Sequence, residues 1–174
     1  MTSALSREQL REDVAAVMIE HLNVPLQAYK TIFEQTIAAG KDSTWKSSLG
    51  RLEDITARIN ALDSSEKKSE YVLKLNKLLG DITNIDHYYT INSRLADDDL
   101  IVAKKLKELQ LNNVQLQTFN DLKVKGPSIK KIVGDYIDGL SAEEKSEQQK
   151  LVNWYEGLTE RSFFADYIKF FETY

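Results

Sequence analysis

The chain has no cysteine, which removes disulfides, thiol catalysis and cysteine-held metals together. Histidine is nearly absent too. His21 and His87 are the only two, and no HExxH or EF-hand pattern occurs. Neither glycine-rich phosphate loop is present, GxxxxGKS/T or GxGxxG, and the GxSxG nucleophile elbow is missing around Ser47-Ser48. No apolar run approaches the roughly 18 residues needed to span a membrane. The start, Met1-Thr2-Ser3-Ala4-Leu5-Ser6-Arg7-Glu8, carries no apolar signal core. A small secreted domain would more often carry disulfide bridges. The expectation is a cytoplasmic protein, of a cell or of a virus-infected host, with no cofactor and no metal.

What remains is ample for a core. The 174 residues are 42% hydrophobic, with 8 Tyr, 6 Phe and 2 Trp, and the formal net charge is −4. One domain is the default at this length. The modest negative charge does not mark the whole chain as a nucleic-acid binder.

Helical periodicity dominates. Ser6 with Gln9 fits a capping box, and Leu10, Val14, Val17 and Met18 follow at three- and four-residue spacing. Asn23 and Pro25 close that helix and open a second, lined by Leu26, Tyr29, Phe33 and Ile37, with Gly40 as a left-handed C-terminal cap. Trp45, Leu49, Leu52, Ile55, Ile59 and Leu62 approach a heptad, which suits packing inside a bundle or, as the alternative, a seam with a partner or second copy. Asp63 with Glu66 marks the next start, and Gly80 its end. Residues 81–94 read as a short helix or an ordered loop. Asp97-Asp98-Asp99 complement the positive end of a helix dipole.

Leu95–Lys125 is the longest uninterrupted helical pattern, and the other segments are expected to pack around it. It carries two apolar stripes. Leu95, Val102, Leu106, Leu109 and Leu116 fall on one face, whereas Leu100, Leu111, Val114 and Leu122 fall nearly opposite. Either the helix is continuous and buried on both sides, or it breaks near Asn112-Asn113 and the apolar face changes register. A continuous helix here would run roughly 43 Å, implying an elongated bundle. Gly126-Pro127 reads as the firmest boundary, with Pro127 opening a helix over Ile129, Ile132, Val133, Tyr136 and Leu140. Ser141 with Glu144 forms another capping box, and Leu151, Trp154, Tyr155 and Leu158 line the segment after it. The fold expected is all-α: an elongated multi-helix bundle of about seven or eight helices around a long central helix. Residues 1–174 form a single all-helical domain, with 126–127 the one candidate point of subdivision.

Three functional readings follow. The first is a non-enzymatic protein-interaction or assembly factor (an adaptor, chaperone-like factor, inhibitor or subunit) binding a protein partner or a second copy. Its candidate surface is the aromatic C-terminal segment: Phe163, Phe164, Tyr167, Phe170, Phe171 and Tyr174. The same residues would equally close the domain's own core. The second reading is nucleic-acid binding. Residues 104–131 carry a charge of +5, and Lys123, Lys125, Lys130 and Lys131 flank Gly126-Pro127. There is no arginine in that stretch to read guanine edges. Residues 135–174 carry −5 and compensate it. The third reading is a small enzyme with its site near His87, beside Asp86, Tyr88 and Tyr89, since histidine titrates near neutrality.

Overall fold

The computed structural model describes residues 6–92, 94–159, 162 and 164–174, apart from the side chains of Phe119, Leu122 and Phe164. These residues form eight α-helices and one 3-10 turn, and among them there is no strand. The helices are α1 (Arg7–Gly40), α2 (Gly50–Asn60), α3 (Lys68–Ile91), α4 (Asp97–Glu108), α5 (Leu111–Asp138), α6 (Ala142–Glu147), α7 (Gln149–Gly157) and α8 (Phe164–Thr173). The 3-10 turn, Lys46–Leu49, precedes α2. The all-α bundle expected from the periodicity is the one found.

Contacts within the chain gather into two units, and α1, α3 and α5 each contribute residues to both. The first unit comprises residues 1–21, 64–73 and 119–174. Its core draws on Val14 and Met18 of α1, Val72 of α3, Ile129 and Val133 of α5, and Phe170 of α8. Glu12 of α1 caps the start of α3 across space. Its carboxylate accepts hydrogen bonds from the backbone N–H of Lys68 (3.0 Å) and of Ser69 (3.2 Å). Burial pushes that carboxyl up, but the bonds from Ser69 and Lys68 and the nearby Lys67 charge outweigh it and hold it below the usual range. The capping box at Ser141 forms in full, with Ser141 Oγ accepting from Glu144 N and Glu144 accepting from Ser141 N. At Ser6 only the half in which Gln9 N donates to Ser6 Oγ is made.

The second unit comprises residues 22–63 and 74–118. Leu26, Tyr29 and Phe33 of α1 are buried with Leu52, Ile55 and Ile59 of α2, Leu75 and Ile82 of α3, and Val102 and Leu106 of α4. The near-heptad stripe of α2 is thus spent inside the chain. Both α2 and α4 pack on the 3-10 turn, where Leu49 is buried. Arg58 and Asp81 form an ion pair at 2.6 Å.

Three boundaries and one cap differ from the sequence expectation. Pro25 does not divide α1, which runs through it. A proline inside a helix costs about 3 kcal/mol. Here Leu22, Leu26, Tyr29 and Phe33 keep one buried face across it, each contributing up to about 2 kcal/mol of apolar burial. Gly40 ends α1 without a left-handed backbone, and the space above it is filled by the Trp45 ring. Gly80 lies inside α3, which continues to Ile91 and takes in most of the ambiguous 81–94 stretch. Gly126-Pro127 lies inside α5. The glycine leaves space there and makes no turn: a Cβ at Gly126 would stand 2.6 Å from the Tyr167 hydroxyl, so one of the two would have to shift.

The long segment 95–125 is not one helix. It breaks at Leu109-Gln110, two residues before Asn112-Asn113, and Gln110 adopts φ 62°. Asn113 stabilises the new start, with both its backbone N–H and its side-chain amide donating to Gln110 at 3.0 Å. The break exchanges the two stripes. Before it Val102 and Leu106 point inward and Leu100 outward; after it Leu111 and Val114 point inward and Leu116 outward. One turn of irregular backbone lets a doubly apolar sequence bury one face at a time.

Candidate functional site

The exchange of stripes leaves apolar side chains on the outside of α4. This helix is held in place from within its unit. Val102 and Leu106 are buried, and the Tyr88 hydroxyl donates to Asp99 Oδ2 at 2.7 Å. The Arg51 guanidinium sits 3.9 Å from the Tyr88 ring centroid. The hydrogen bond to Asp99 raises the Tyr88 hydroxyl above its ordinary pKa, with burial adding and Arg51 opposing. Asp97, Asp98 and Asp99 fill the first turn and Lys105 and Lys107 the last, each at the favourable end of the helix dipole.

At roughly 3.6 residues per turn, Asp97, Leu100, Ile101, Lys104 and Glu108 fall on one arc of α4, opposite Val102 and Leu106. All five are exposed. Leu100 keeps 51% of its surface and Ile101 42%. Single exposed aliphatics such as Val24, Ile91 and Val124 are ordinary on a protein surface. Two adjacent ones sharing the outward face of one anchored helix form a patch with charged residues around it. Leu100 belonged to the second stripe in the sequence, but periodicity alone does not say which of two stripes is left outside.

The aromatic C-terminal segment lies elsewhere. Tyr167, Phe170 and Phe171 are buried, and Tyr174 is half-buried. Phe163 and the Phe164 side chain lie outside the described residues. The Phe170 ring stands 5.3 Å from that of Trp154, whose Nε1 donates to the Asp166 carbonyl at 2.6 Å. Arg11 of α1 donates to the Phe171 carbonyl at 3.2 Å and lies 5.6 Å from its ring centroid. Of the two roles the sequence left open for this helix, Tyr167, Phe170 and Phe171 fill the core role.

The four lysines around Gly126-Pro127 do not form one cluster. With the helix unbroken, Lys125 falls on the flank opposite Lys123, Lys130 and Lys131. Lys125 lies 3.6 Å from Glu20 and Lys131 2.8 Å from Asp135. Lys130 sits 5.7 Å from the Tyr155 ring centroid, and Lys123 also has a partner.

The residues around His87 diverge because neighbours on a helix point in different directions. His87 is exposed, while Asp86 and Tyr89 point into the second unit. Asp86 is 2% exposed, and its Oδ1 meets no hydrogen-bond donor among the described residues. Burial pushes its carboxyl above the usual range, with His87 opposing weakly. Burial also carries the Tyr29 and Tyr89 hydroxyls up to about 12. The negative charges of Asp86 and Asp99 add to Tyr29 and Tyr89 respectively. His21, the other histidine, is buried in the first unit, and burial lowers its pKa. Among the described residues no group of three acidic or histidine side chains could hold a metal ion. No helix among them is long and apolar enough to cross a membrane.

Set against known proteins, the chain matches no family model, no curated protein and no solved structure.

Proposed function

We propose that this chain is a non-enzymatic protein-interaction or assembly protein that docks a partner on the outward face of α4. One observation carries the reading: Leu100 and Ile101 remain exposed side by side on a helix whose opposite face is fully anchored. Covering a large aliphatic side chain contributes up to about 2 kcal/mol, and the charged residues beside it set orientation and discourage wrong partners. A rigid helix presenting a preformed patch loses little entropy on docking. The aromatic helix supports the reading only indirectly, by completing the scaffold of the first unit. The nucleic-acid alternative has less support, because its lysines are split between two flanks and paired. The enzyme alternative is weakened by the separation of exposed His87 from buried Asp86.

The experiment is a quantitative capture comparison in lysate of the source organism. Leu100→Asp and Ile101→Asp are compared with wild type, and Val24→Asp serves as a control at another exposed aliphatic. The reading requires a partner, another protein or a further copy, that both α4 variants lose and the control keeps, with unchanged thermal stability. Identical recovery by all three variants rules the face out.

A further inference from the structure

The outward face of α4 has a charge order that fits its own copy. Asp97 lies on the N-terminal side of Leu100 and Ile101 and Lys104 on their C-terminal side, with Glu108 one turn further on. Neither Asp97 nor Lys104 has an ion-pair partner within the chain among the described residues. Two copies of such a face are complementary when antiparallel about a twofold axis. Residue 97 of each then meets residue 104 of the other, and residue 100 meets residue 101. Parallel docking would instead put Asp97 against Asp97 and Lys104 against Lys104.

We propose that the partner on this face is a second copy of the chain, joined through an antiparallel α4–α4 contact with Leu100 and Ile101 at its centre and Asp97–Lys104 pairs at both ends. The proposal rests on the interaction reading above and names its partner. An isologous contact of this kind closes on itself and stops at the dimer. The antiparallel arrangement also sets the positive end of each helix dipole beside the negative end of the other. A face of 12 residues is about 18 Å long. At about 10 Å across it offers roughly 180 Å² per copy, well short of the roughly 1,200–2,000 Å² of a stable interface, so the dimer is weak and reversible.

Sedimentation equilibrium of the full chain, from low micromolar to about 1 mM, tests this with three variants. Leu100→Asp abolishes the dimer. Asp97→Lys and Lys104→Asp each weaken it by about tenfold, since each makes two like-charge pairs per dimer. Mixing those two variants restores association, because every end pair is again of opposite sign. The recovery is read on the same two proteins, so a folding defect in either cannot imitate it. A chain that stays monomeric throughout overturns self-docking, and so does a dimer whose mixed variants fail to recover. If that chain still captures another protein through Leu100 and Ile101, the interaction reading stands without the self-docking one. If it captures nothing through them, both fall.

Discussion

The Tyr167 hydroxyl of α8 rests on the backbone of α5 at Gly126, where an added Cβ would stand 2.6 Å from it. This contact accounts for a glycine at this point of a continuous helix. Gly126→Ala should lower stability by about 1–3 kcal/mol, the usual penalty of overpacking. Tyr167→Phe removes the obstructing oxygen and leaves the ring carbon that bore it at 3.3 Å. In chemical denaturation, Gly126→Ala should therefore cost much less in the Tyr167→Phe background. Additive effects would show that the two do not touch.

Asp86 gives a pH signature of known sign. Its carboxyl is raised by burial, so the native state keeps a proton that the unfolded chain has released. The contribution of this group is most favourable below the ordinary aspartate value of about 3.9. It declines as pH rises from there through the native value and is flat above it. Asp86→Asn keeps the shape without the charge. It should stabilise the chain at pH 7, and by much less near pH 4. Thermal unfolding of both proteins across that range checks it, and a pH-independent difference would contradict the assignment.

Gln110 is the only described non-glycine residue with positive φ. Its left-handed backbone is strained for a side chain with a Cβ. Gln110→Gly should stabilise by about 1 kcal/mol, less whatever the bond from Asn113 to Gln110 Oε1 contributes. Equilibrium unfolding checks it, and a loss of stability would mean that this side-chain bond outweighs the strain.

Two truncations separate core from surface. Phe170 is fully buried, so Phe170→Ala should lose about 3–5 kcal/mol. Leu100→Asp, on the outside of α4, should shift stability by less than about 0.5 kcal/mol. Denaturant midpoints decide both. The opposite ranking would reverse the roles given to α8 and α4.

Much of the fold was legible because one period governs it. The buried faces at Leu49, Leu52, Ile55 and Ile59, and the caps at Ser6 and Ser141, follow from local spacing and hydrogen-bond chemistry. The breaks were harder to read. Pro25, Gly80 and Gly126-Pro127 are strong local stop signals, yet each lies inside a helix. At Pro25 what overrides the signal is tertiary, burial on both sides; at Gly126 the glycine serves the approach of Tyr167 and not a helix end. The true break at Leu109-Gln110 has no glycine or proline; only the two opposed stripes signalled it. The candidate site was hidden for the same reason, since the sequence showed that α4 is apolar on both sides but not which side is left uncovered. Asp86 and Glu12 act through residues distant in the chain, and spacing carries no record of such partners.

The absence of native cysteine permits the most direct test of the outward face. Leu100→Cys and Val24→Cys each place one thiol at an exposed aliphatic position, and the maleimide labelling rate of each is measured in dilute, concentrated and lysate-supplemented protein. Leu100→Cys should be protected in concentrated or lysate-supplemented protein, while Val24→Cys should not. Equal, unchanging rates at both positions under all three conditions would contradict it.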